Sequence, residues 1–93
     1  MYNYFLLIGV LKRYDEATKT FVIAMLENGE IVEYKLSFKD IYFEGSNLFS
    51  QELPVKDKLE MSLDRPIGVR GYISLRPDGA FDLIPTHIKE FNE

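Results

Sequence analysis

The sequence predicts an all-β fold: a closed five-stranded barrel with at most one short helix between its third and fourth strands. Two segments, residues 5–11 and 68–75, read as strands containing Gly9, Gly68 and Gly71. Glycine inside a strand marks a bulge, a sharp bend or a close approach of another backbone. A small barrel needs such bends, because a strand that turns its corner serves two sheets at once. Between and after these segments, Asn28-Gly29 and Pro77-Asp78-Gly79 supply the chemistry of two tight hairpins.

Residues 2–11 alternate Tyr4, Leu6, Ile8 and Val10 against Phe5, Leu7, Gly9 and Leu11, apolar on both faces. That pattern suits a strand buried on two sides or used in an interface. Residues 12–19 are polar and turn-like. Residues 20–26 form a β-branched, apolar second strand, and Asn28-Gly29 leads into a third over residues 31–38. There Val32, Tyr34, Leu36 and Phe38 share one face, with Glu33, Lys35 and Ser37 on the other. Residues 39–51 carry Tyr42, Phe43, Leu48 and Phe49 without a period, and Gly45-Ser46-Asn47 reads as a turn. After Pro54, Val55, Leu59 and Leu63 fall four apart, which suits a short helix within residues 46–63. An extended segment leading to Arg65-Pro66 is the alternative. Residues 67–76 form the fourth strand, residues 81–85 its hairpin partner, and residues 86–91 close the chain.

Ninety-three residues make one domain. A hydrophobic share of 46% is enough to fill a core. The chain has no cysteine, so disulfides and thiolate metal sites are excluded. The apolar run at residues 4–11 is too short to span a bilayer and no basic region precedes it, so a cytoplasmic, membrane-free protein is expected. A net charge of −4 argues against a strong sequence-independent grip on nucleic acid, which requires lysines and arginines along the phosphates.

The run Leu6-Leu7-Ile8-Gly9-Val10-Leu11 resembles the first strand of bacterial single-stranded-DNA-binding proteins and of the related primosomal replication protein B. Ile67-Gly68-Val69-Arg70-Gly71-Tyr72-Ile73 is similar to their fourth strand, and residues 79–91 to their fifth. The resemblance implies a five-stranded OB-fold barrel that binds single-stranded DNA in replication or recombination. It also implies pairing of first strands across a two-fold axis, in a homodimer or in a heteromer with a replication protein. Val10 departs from the family, which usually has a basic residue there, and the chain has no tryptophan and no acidic tail.

Single-strand binding needs cations for the backbone and aromatic faces for bases. Lys12-Arg13-Tyr14 supplies both where the loop between strands 1 and 2 begins; the plainer reading is a solvated loop with Tyr14 packed over the rim. Arg70, Tyr72, Ser74 and Arg76 share one face of strand 4, interleaving cations with an aromatic. The plainer reading pairs those cations with Asp82 across the hairpin. Lys35 is a further candidate, though Glu33 beside it opposes phosphate, and Tyr34 is expected to pack inward. Tyr2, Tyr4, Leu6, Phe38, Tyr42 and Phe43 are candidates for a partner interface, with a stacking role open for the last three. Catalysis finds no motif: His87 is the sole histidine and reads as structural, and no carboxylate pair, phosphate loop or nucleophile elbow is present. The expectation is a protein without enzyme activity, metal or cofactor. It binds single-stranded DNA, with RNA left open, or else serves a replication enzyme as a protein-contact subunit.

Overall fold

The computed structural model describes residues 3–44 and 54–90. Tyr2 of the expected interface and the turn expected at Gly45-Ser46-Asn47 lie outside them. The chain runs through β1 (Tyr4–Asp15), β2 (Thr20–Glu27), β3 (Glu30–Ser37), β4 (Tyr42–Glu44), α1 (Val55–Met61), β5 (Pro66–Leu75) and β6 (Phe81–Glu90). The strands form one sheet in the order β3-β2-β1-β5-β6-β4. All pairs are antiparallel except β4 with β6.

Where five strands were expected, the described residues form six in one sheet. The added strand, β4, pairs Tyr42 with His87 and Phe43 with Ile88. Its three residues have no period of their own; only the last strand, remote in sequence, defines them. β3 and β4 end the strand order on opposite sides yet are separated only by residues 38–41, and the sheet curls until β3 approaches β6.

Local chemistry accounts for the hairpins. Asn28 and Gly29 both take positive φ, 51° and 81°, as a tight turn matched to strand twist requires. Two register shifts bend the sheet. One leaves Lys12 as the extra residue between the pairs Leu11–Ile23 and Arg13–Val22. The other leaves Thr86 extra between the pairs of Arg70 with His87 and Gly71 with Pro85. Proline has no N–H to give a ladder, so a bulge is where a strand can hold one. Thr86 Oγ1 donates to the Arg70 carbonyl at 3.2 Å across that bulge. The two expected pieces, 81–85 and 86–91, are therefore one bulged strand as far as Glu90, and Phe91 lies outside the described residues.

The glycines mark close crossings. A Cβ on Gly71 would lie 1.9 Å from the Ile84 carbonyl oxygen, and one on Gly9 would lie 2.4 Å from that of Ala24. Inside the curl, Leu11, Phe21, Ile23, Ile67, Val69 and Ile88 are fully buried. Burying a side chain of this kind contributes about 1.5–3 kcal/mol. The helix is present, with Pro54 at its N-cap accepting from the Lys58 amide at 3.1 Å. It buries Leu59 completely but leaves Val55 exposed, so its inward face runs through Lys58, Leu59, Ser62 and Leu63. Asp64 and Arg65 then exchange backbone hydrogen bonds with Leu11 and tie the helix to β1.

Candidate interaction site

The end of β1 carries the first expected cluster. Lys12 Nζ lies 3.4 Å from Asp64, and Arg13 holds Glu33 through two nitrogens at 2.8 and 3.4 Å. The hydrogen bond from Arg13 holds the Glu33 carboxyl below its ordinary range, and the pair raises Arg13 in turn. Tyr14 packs against the core and donates its hydroxyl to Glu60 at 2.6 Å. That bond, more than desolvation, pushes its phenol up to about 12. Tyr14 therefore follows the plainer of its two readings, as a rim residue. Lys35 is exposed beside Glu33, in the register Val22–Lys35. With Arg13, Tyr14 and Thr20 it lines a hollow of about 240 Å³. Tyr34 packs inward as expected and donates its hydroxyl to Glu27 at 2.9 Å, which raises its phenol.

The second cluster sits elsewhere. Arg70 is paired with Leu6 and Tyr72 with Tyr4 across β1 and β5, on the outer face. Leu6 and Arg13 are seven residues apart, roughly 20 Å along a strand, so the two basic clusters do not form one track. Arg70 pairs with Glu44 of β4 rather than with Asp82. The hydrogen bond from Arg70 keeps the Glu44 carboxyl below its ordinary value. Arg76 does meet Asp82, at 3.5 Å. Four of the five expected phosphate-binding cations thus already face a carboxylate.

The interface residues divide. Tyr4 and Leu6 are 74% and 63% exposed, and Ile8 continues their stripe at 53%. Tyr42 is exposed too, its ring edge-on to His87 with centroids 5.6 Å apart. Phe38 and Phe43 are corrected to core residues, 7% and 4% exposed. Phe38 continues the inward alternation of Tyr34 and Leu36, and Phe43 is held inward opposite Ile88 with the Lys58 ammonium 4.9 Å from its ring centre.

Tyr4, Leu6, Arg70, Tyr72 and His87 line one groove of about 550 Å³ on the outer face. Residues expected for nucleic acid and residues expected for a partner protein therefore share a single site. Along the same face, Leu6, Arg70 and His87 also wall a smaller hollow that adds Glu44 and Lys89. Glu44 and Lys89 carried no signal in the sequence, because only the non-local pairing of β4 with β6 brings them here. His87 lies in the groove wall, its Nδ1 2.8 Å from Thr86 Oγ1. Among the described residues no group of three or more side chains is arranged to hold a metal ion, and no helix is long and apolar enough to cross a membrane. No family model and no curated protein matches the chain.

Proposed function

We propose that this protein is an OB-type module that works by contact with a partner protein, without chemistry of its own. The strand order supports the OB reading. If β3 and β4 are taken as one bent strand, the order becomes a ring in which it joins β2 to β6, as in a five-stranded Greek-key barrel. The observation that carries the contact reading is the exposed stripe of Tyr4, Leu6 and Ile8 beside Tyr72. Contiguous apolar surface of this kind marks an interaction site. The stripe lies on a strand segment whose pairing with β2 begins only at Val10. Over residues 5–9 no pairing with β2 is therefore present among the described residues, and an open edge invites another chain. The resemblance of residues 6–11 and 67–73 to replication proteins supports a partner that acts in DNA replication or recombination.

The test is retrieval of partners from the native host by wild type and by Leu6→Asp, alongside an oligonucleotide titration. A partner captured by wild type and lost in the variant, with its thermal unfolding unchanged, supports the reading. Strong oligonucleotide binding with no protein partner, homodimers included, overturns it.

A second reading, direct binding of single strands, is favoured by one observation: Arg13, Tyr14 and Lys35 line a common hollow. Its one ion pair among the described residues, Arg13 with Glu33, is solvent-exposed and exchanges readily for phosphate. In this case Lys35→Ala should lower the magnitude of the log–log salt slope by roughly 0.7. An unchanged slope excludes Lys35 from the phosphate track.

A further inference from the structure

We infer that the outer groove over β1, β5 and β6 receives an extended acidic and apolar peptide segment of the partner protein. Its aromatic or large aliphatic side chain lies between Tyr4 and Tyr72, and a neighbouring carboxylate meets Arg70. The inference rests on the protein-contact reading above and names the chemistry of the partner.

Size and lining argue for a side chain. The groove holds about 550 Å³ and has Tyr4, Phe5, Leu6 and Tyr72 among its walls, the scale and character of sites that accept apolar groups. Charge argues for an acid. The ionised side chains along the groove and its adjoining hollow are Arg70, Lys89 and Glu44, a net charge of +1 on a chain whose net charge is −4. Glu44 engages one guanidinium nitrogen of Arg70, and the other two have no partner among the described residues. A guanidinium has five N–H groups in a fixed fork, so it can serve a second carboxylate without releasing the first.

The same features disfavour the other occupants. A nucleic-acid strand brings one negative charge per nucleotide and needs a run of cations, whereas here only two line the face and Glu44 already pairs with one of them. A second copy placed by a two-fold axis would bring the same net positive patch to both sides of the contact. A peptide with one or two acids around an aromatic matches both the apolar floor and the single basic wall.

The test is selection of a random displayed-peptide library on the full chain. Fluorescence anisotropy of an enriched peptide, made with a fluorescein label, then measures affinity. Enriched sequences should place Phe, Tyr or Leu within a few residues of Asp or Glu. Arg70→Ala should weaken binding about tenfold or more, added salt should weaken it further, and Leu6→Asp should abolish it. Lys56→Ala, on the exposed face of α1, should leave it unchanged. Thermal unfolding of each variant separates loss of the site from loss of the fold.

Enrichment of neutral or basic peptides that still require Leu6 overturns the acidic partner while leaving the contact reading in place. A dimer by sedimentation that Leu6→Asp dissociates does the same, because a second copy then covers the groove. No enrichment, together with oligo(dT) binding that requires Arg70 and Tyr72, overturns both.

Discussion

Replacing Gly71 by alanine is expected to remove a large part of the stability of this domain. An added Cβ would stand 1.9 Å from the Ile84 carbonyl oxygen, 2.8 Å from its carbon and 2.9 Å from Phe5 Cε1. Two of these are main-chain atoms of β6 and cannot swing aside like the end of a side chain. Ordinary contact begins at 3.4 Å, so the β6 backbone must retreat by about 1.5 Å at this point. The retreat strains the ladder between β5 and β6 where the Thr86 bulge already bends it. Overpacking commonly costs 1–3 kcal/mol, and a backbone clash belongs at the upper end, about 3 kcal/mol. A chain of this length has roughly 5–14 kcal/mol in total. The melting temperature should then fall by roughly 12–24 °C. Gly79→Ala is the control: its φ of 89° strains alanine, but nothing lies within 4 Å of the added Cβ. Its expected cost is about 1 kcal/mol. Urea unfolding followed by far-ultraviolet circular dichroism reads both variants. If Gly71→Ala unfolds within about 0.5 kcal/mol of wild type, the crossing is absent and the described β5–β6 register is wrong.

Leu59→Ala should cost about 2–5 kcal/mol, because this fully buried side chain is the main apolar contribution of α1 to the core; an unchanged urea midpoint would detach the helix from the core. Glu33 and Glu44 have depressed folded-state pKa values, so their contribution is present above the unfolded value of 4.5 and is lost as pH falls through the lower folded values. Urea midpoints should therefore drop in acid below that value, and the drop should flatten in Glu33→Gln combined with Glu44→Gln; equal acid sensitivity in that variant would refute the pairing with Arg13 and Arg70. Tyr14 titrates in the opposite sense, its hydrogen bond stabilising the fold below the unfolded value of 10 and fading as pH rises towards about 12. Alkaline difference spectra should show Tyr14→Phe lacking a late-ionising phenol, and loss of an ordinary one instead would break the link to Glu60.

Strand identity was legible wherever a segment carried its own period or its own turn. The alternation of Val32, Tyr34, Leu36 and Phe38 and the Asn28-Gly29 turn are local patterns, and local backbone geometry enforces them. The crossings at Gly9 and Gly71 were legible for a similar reason, since a strand-interior glycine otherwise weakens the strand that holds it. Helix α1 was legible as a spacing of four, but not which face it buries, because Val55 points out and Lys58 lies in.

Only the tertiary structure decided the rest. β4 exists because β6 offers a parallel edge to Tyr42, Phe43 and Glu44, and that same pairing turns Phe43 into core and brings Glu44 to Arg70. The two basic clusters look alike in sequence, yet the sheet sets them at opposite ends of β1 and gives most of their charges a carboxylate. On β1, alternation showed two apolar faces; the packing of β5 and α1 determined that Leu7 and Leu11 enter the core while Tyr4, Leu6 and Ile8 remain outside. Period and turn chemistry act between neighbours in the chain, whereas charge pairing, burial and grooves depend on which strands meet. That meeting is a balance struck over the whole sheet, and no short segment carries it alone.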